Sequence, residues 1–337
     1  MPIHGGCDLA VPGRDIPQRR ARFSTTEAVI VNTVSIGVCA YNEVHRMDDL
    51  FESIRSQSLP ETVTLKEILV VASGCTDGTD ALVEERARAD PRVTLIRESE
   101  RLGKSSALNL LLRRYQGDLL ILLNADARLL PGSLTQLLKP FIGHDEVQLA
   151  CGAPVLHRSP SGLTAEVLEL SWRLHNRTLN ALSVRNLPNH CCDELMAMRK
   201  GFVHETPTDL INDGAYFGVL ASLRGRSVHF CPEAEVMIEV PLDLADLLQQ
   251  RRRILRGHQQ IRSLLHRSPN TFEGLFRNHS AIALLILLQE MRRGLRWIGV
   301  LLCFALPLES VAKLLAIVDR VRRRPFPTVW ATVRGVP

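Results

Sequence analysis

Asn124 and Asp126 stand two positions apart at the end of an apolar run, Asp118-Leu119-Leu120-Ile121-Leu122-Leu123-Asn124. Alternate residues at a strand end project to one side. A carboxylate and an amide oxygen placed there suit a hard divalent cation, Mg2+ or Mn2+, which takes oxygen ligands and is readily shared with phosphate groups. Asp126 is the main candidate ligand, since Asn124 brings an oxygen but no charge. Lys104 follows Gly103 at the opening of a helical segment, where backbone N–H groups and a side-chain cation can together meet an anion.

These groups need a scaffold that brings positions 104, 124 and 126 together. Val34 to Ala40 reads as a buried strand, followed by a helix from Asp48 to Gln57 with Leu50, Phe51 and Ile54 on one face. Glu67 to Ala72 reads as a second strand, Thr79 to Ala89 as a helix with Thr79 at its N-cap, and Val93 to Ile96 as a third strand. Lys104 to Tyr115 is the third helix and Asp118 to Asn124 the fourth strand. Strands alternating with helices predict βαβ units and a parallel sheet covered on both faces. Ligands of such sheets bind beyond the carboxyl ends of the strands. Three polar loops lie there: Tyr41-Asn42-Glu43, Ser73 to Thr79, and Asn124-Ala125-Asp126.

Taken in order, Ala40-Tyr41-Asn42-Glu43, the Ser73–Thr79 turn, Arg101 to Asn109 and Asn124-Ala125-Asp126 resemble the inverting family-2 glycosyltransferases of the GT-A fold. The resemblance runs from about Val34 to His258. It implies an α/β, GT-A-type nucleotide-sugar-binding sheet flanked by helices, with a helical C-terminal extension. It also implies inverting transfer of one sugar from a nucleoside-diphosphate sugar, UDP favoured, to an acceptor hydroxyl. By the resemblance, Ala40, Tyr41, Asn42, Glu43, Ser73, Asp77, Lys104, Asn109, Asn124, Ala125 and Gln250 line the donor site, with Asp126 on the metal. Asn124 is then a helper to ribose or metal, and Asp77 serves either the donor or its own turn's backbone amides.

The segment Thr206 to Tyr216 resembles the family's second acidic motif, which makes Asp213 the catalytic base, with Asp209 in reserve; Asp213 also stands where a helix N-cap is expected. Gln250-Arg251-Arg252-Arg253-Ile254 resembles the Q-x-x-R-W segment of the processive members, so Arg253 stabilises charge on the leaving group. His258 is a further candidate for metal or phosphate. The chain departs from the pattern at three places. Ala72 and Ser73 replace an acidic pair that reads the base, Asn124 replaces the first Asp of D-x-D, and Ile254 replaces the Trp, which argues against polymer synthesis.

Three domains are expected: a loosely docked arm, 1–28; the catalytic domain, 29–262, with its donor half to about 130; and a helical extension, 263–337. In the extension, Ala281 to Leu288 and Trp297 to Leu308 are apolar runs too short to span a bilayer before charge interrupts them. Their flanking arginines and Trp297 suit either a membrane interface or a helical subdomain or oligomer interface. Eight cysteines without C-x-x-C spacing indicate neither a disulfide scaffold nor structural zinc, and Cys191-Cys192 reads as two small loop residues. The N-terminus reads without a signal peptide, so the expected location is cytoplasmic, or peripheral on the cytoplasmic membrane face. The net charge of +5 comes without an aromatic-interleaved basic face, so a nucleic-acid partner is not expected. The acceptor classes left open are a lipid carrier, a glycan and a small metabolite. Two rival readings are a nucleotidyltransferase on a similar scaffold and a non-catalytic sugar-nucleotide-binding homologue.

Overall fold

The computed structural model describes residues 31–156, 162–239, 243–322 and 324. The expected arm, 1–28, lies outside them. The strands are β1 Thr33–Ala40, β2 Thr64–Ser73, β3 Val93–Glu98, β4 Leu119–Asn124, β5 Arg128–Leu129, β6 Val147–Leu156, β7 Leu195–Arg199 and β8 Ser227–Ile238. The helices are α1 Val44–Arg55, α2 Thr79–Ala89, α3 Lys104–Arg114, α4 Ser133–Leu138, α5 Leu163–Ser183, α6 Asp213–Leu223, α7 Leu244–Leu265, α8 Phe272–Asn278, α9 Ser280–Met291, α10 Leu295–Val300 and α11 Leu306–Val321.

The strands form one sheet in the order β3-β2-β1-β4-β7-β6-β8-β5. Strands β1 to β4 are parallel to one another, as the alternation of strands and helices predicts. β7 then runs antiparallel to both β4 and β6, so the sheet becomes mixed on its far side. The near-continuous apolar sequence of β4 follows from burial on both faces. Leu119, Ile121 and Leu123 join the core that includes Leu50 and Ile54 of α1 and Leu134 of α4. Leu120 and Leu122 join the opposite core, with Leu108 and Leu111 of α3 and Phe217 of α6. Gly37 lets α3 approach β1, since a Cβ there would lie 2.9 Å from the Leu111 side chain.

A third apolar cluster joins Val167, Leu170 and Leu174 of α5 to Leu275, Ala283, Ile286 and Val300 of the C-terminal helices. Helices α10 and α11 are joined by a π-helical turn, Leu301–Ala305, into one continuous helix, Leu295–Val321. At 27 residues it is long and apolar enough to cross a membrane, which corrects the expectation of short interrupted runs. The π turn lies just ahead of Pro307, whose missing N–H and ring disturb the ordinary i→i−4 bonding there. Glu309 and Lys313, the charges that follow the second apolar run, are ion-paired to the body of the protein, and so is Asp319. Trp297 is not an outward anchor: its ring lies beneath the Arg173 guanidinium at 3.8 Å, against α5.

Candidate active site

Lys104 stands at the centre of the carboxyl edge. Gly103 precedes it with φ 97°, a left-handed turn that suits glycine and starts α3 at Lys104. The ammonium donates to Asn124 Oδ1 at 2.9 Å and lies 3.1 Å from Asp213 Oδ2 and 3.7 Å from Asp193 Oδ2. Asp213 does not cap α6. Asn212 does, its side chain accepting from the Ala215 N–H at 2.8 Å, which leaves the Asp213 carboxylate free to face Lys104. The approach to Asp213 is pinned twice. Ser105 donates to the Leu210 carbonyl at 2.7 Å, and Gln260 of α7 accepts from Ile211 N–H at 3.0 Å.

Burial raises the Asp213 pKa; Lys104 opposes this and Asp193 adds to it. Asp193 moves the other way, because Lys104 and Arg253 outweigh its own burial. The two carboxylates share the Lys104 ammonium, 3.1 Å from Asp213 and 3.7 Å from Asp193. Asp193 is absent from the sequence-derived site. It sits in a polar loop that β7 carries to the edge of β4, and its only signal was the acidic Asp193-Glu194 pair in that loop. Arg253 reaches the same cluster: burial disfavours its charge, while Asp193 and Asp213 favour it. Gln250, one turn earlier on α7, is half-buried. Asp209 keeps an exposed side chain and offers its carbonyl to Gln260.

The loops after β1 and β2 hold each other. Asn42, at φ 54°, accepts from Thr76 N–H at 2.8 Å. Asp77 accepts from Val44 N–H at 3.0 Å, Thr79 N–H at 2.9 Å and the Thr79 hydroxyl at 2.6 Å. Burial would raise the Asp77 pKa, but the Thr79 and Val44 donors outweigh it and hold the group below its ordinary value. Asn42 and Asp77 thus brace the two loops against each other. Gly78, not Thr79, is the N-cap of α2. Asn109 is likewise structural: buried, it donates to the Thr206 carbonyl at 2.9 Å and accepts from Thr206 N–H at 2.8 Å.

The Arg101 guanidinium lies 3.5 Å above the Tyr41 ring, forming a cation–π pair over the first loop. Ser73 donates to Glu98 Oε2 at 2.5 Å, and Ser106 donates to Glu98 Oε1 at 2.6 Å. Ser73 and Glu98 are direct partners in the β2–β3 register. A carboxylate, that of Glu98, thus lies one strand further out than positions 72 and 73. Ala40 and Ala125 contribute backbone and bury their methyl groups.

Asp126 is exposed at the mouth of the site, and desolvation by the protein around it raises its pKa. Arg46 joins the loop after β1 to the end of β8, donating to Glu43 at 2.9 Å and to Glu239 Oε1 at 2.8 Å. Burial lifts the Glu43 pKa to about 7 against the opposing Arg46 bond, and nearby Asp126 contributes to the rise. Among the described residues no cluster of three or more His, Cys, Asp or Glu could cage a metal ion. Asp126 nevertheless fits Mg2+ or Mn2+, which are commonly bound by one or two carboxylates plus substrate phosphates and water. The Asn124 oxygen already accepts from Lys104, so Asn124 orients the lysine.

His258 does not join Asp126. Its ring packs edge to face on His190 at 6.0 Å, and His190 on His175 at 5.4 Å. Burial pushes its pKa well below the ordinary value. Cys191 and Cys192 are buried and their thiol pKa values are raised by burial, so neither is poised to react.

A mixed sheet whose parallel half gathers Lys104, Asn124, Asp126 and Asp213 at its carboxyl edge, with helices on both faces, is a GT-A fold. Residues 35–206, half of the chain, match the model of glycosyl transferase family 2, and the chain belongs to that family. It is 26% identical over 244 residues to an N-acetylglucosaminyltransferase of Mesorhizobium japonicum, covering 67% of this chain and 55% of that protein. It is 33% identical over 93 residues to an uncharacterized glycosyltransferase of Haemophilus influenzae, covering 28% of each. The chain therefore spans about half the length of one curated relative and less of the other. Among solved structures, a mannosyltransferase from Pyrobaculum calidifontis in complex with GDP-Man and Mn2+ superposes with a TM-score of 0.59 at 20% identity, covering 88% of each chain.

Proposed function

We propose that the protein transfers a single sugar from a nucleoside-diphosphate sugar to an acceptor hydroxyl, with inversion, and that Asp213 is the base. The observation that carries this reading is the Asp213 carboxylate, spared from capping by Asn212 and held 3.1 Å from Lys104. An incoming diphosphate gives Lys104 a competing anion. The carboxylate that Lys104 then releases takes the acceptor's O–H proton as that oxygen bonds to the anomeric carbon. The bond from that carbon to the phosphate oxygen breaks, and the nucleoside diphosphate leaves. Arg253 and Lys104 stabilise the charge on the departing group. A divalent cation held by Asp126, Mg2+ or Mn2+, would neutralise further charge there.

The resemblance favours UDP. A guanine base is the second reading, and the Glu98 carboxylate favours it. With both oxygens oriented by Ser73 and Ser106, it suits the adjacent N1–H and N2–H2 donors of guanine. The acceptor is a lipid carrier, a glycan or a small metabolite.

Calorimetric titration of UDP and of GDP, with Mn2+ and with EDTA, tests the reading on wild type and Asp126→Ala. One nucleotide should bind with metal present, and weaken by at least about tenfold with EDTA or in the variant. Absence of binding by either nucleotide under both conditions would overturn the proposal.

A further inference from the structure

We propose that the outward face of the C-terminal helices docks on an anionic lipid surface, with the helix Leu295–Val321 lying in the plane of the interface. Many large apolar side chains of these helices are open to solvent, among them Leu288 at 43%, Leu295 at 84%, Leu302 at 58%, Leu314 at 61%, Ile317 at 52% and Val321 at 76%. Only 17% of the most apolar stretch of the long helix is buried within the chain. So much exposed apolar surface on one long helix marks an interaction surface in a folded protein.

Along α11 the residues divide cleanly by side. Ala312, Ala316 and Asp319 are buried, and Glu309 is half-buried against the protein; Leu314, Ile317 and Val321 face out. The inner charges are all held. Glu309 pairs with Arg251 at 2.9 Å, Lys313 with Glu273 at 2.7 Å and Asp319 with Arg252 at 2.5 Å. Crossing a bilayer would carry these ion pairs into hydrocarbon or strip the helix from α7, and either is costly. Lying flat keeps them at the protein side and gives the apolar side to acyl chains.

Charge selects lipid over a second copy of the chain. Arg292 and Arg293 lie just before the helix, and Arg320 and Arg322 at its end; all four are exposed, with no carboxylate in ion-pair reach among the described residues. Two copies facing each other through this side would set arginine against arginine. An anionic headgroup layer meets both clusters with opposite charge.

The test is flotation of the full chain with vesicles of phosphatidylcholine, alone or mixed with phosphatidylglycerol. Wild type should float with the mixed vesicles, and binding should fall at least tenfold in Leu314→Glu/Ile317→Glu and severalfold in Arg320→Ser/Arg322→Ser. A thermal melt checks that each variant is folded, and alkaline carbonate should release the bound wild type. Failure of wild type to float overturns the proposal. So does a soluble dimer abolished by Leu314→Glu/Ile317→Glu, which would identify a second copy as the occupant. Resistance to carbonate would overturn the in-plane orientation.

Discussion

At position 213 a buried carboxylate is held against an ammonium group, and its worth depends on what that ammonium does when an anion arrives. Replacing Asp213 with Asn keeps the shape and removes the proton acceptor. The expected outcome is a fall in kcat of about 10²–10⁴-fold, the usual contribution of a positioned base. Nucleotide affinity in calorimetry should hold or improve, because Lys104 loses its competing carboxylate. Equal losses in both would instead make Asp213 a binding residue. The histidine row sets a second expectation. Burial lowers the pKa of His175 to about 3 and of His190 to about 4, from an ordinary 6.5. Between those values and 6.5 the unfolded chain binds protons that the folded chain refuses, so stability falls as pH falls through this window. His190→Gln should flatten that fall in urea melts compared at about pH 7 and about pH 5; a slope equal to wild type would remove His190 from the account.

Among the elements, α3 and α6 do most of the positioning. Asn109 ties α3 to the segment leading to Asp213 with bonds to both sides of the Thr206 peptide. Asn109→Ala leaves buried backbone groups unpaired and should cost about 1–3 kcal/mol of unfolding free energy in urea melts. On α6, Gly214 and Gly218 admit the 189–193 segment: a Cβ would lie 2.6 Å from the Cys191 carbonyl oxygen or 2.9 Å from its nitrogen. That close passage puts Asp193 beside Asp213. The donor half was readable from the chain because each of its elements declares itself locally, by an apolar strand, a helical period or a glycine turn. Asp193 was not readable, because its place depends on β7 pairing with β4 across more than seventy residues. The loop-bracing bonds of Asn42 and Asn109 were not readable, because side-chain type does not reveal which backbone groups a folded loop leaves unpaired; for Asp77 the turn's own amides were one of the two readings. Glu98 was missed for a related reason: only the β2–β3 register sets it opposite Ser73.

Over the whole molecule, the C-terminal helices pack on helices of the preceding part of the chain. Helix α5 buries one side in a core shared with α8 to α10, and α7 lies along α11. The three consecutive arginines of α7 divide between these parts. Arg251 and Arg252 grip Glu309 and Asp319 of α11, while Arg253 carries its charge to the carboxylates of the site. Successive side chains on a helix point about 100° apart, so a single turn is enough to face both ways. One consequence concerns how the protein opens. Amides of α7 and α11 should exchange with deuterium as a single cooperative unit, with one shared opening free energy. Protection factors that separate the two helices by more than about tenfold would show that they open independently. If they open together, whatever loosens the last helix also loosens Arg253, the side chain we propose for the departing diphosphate.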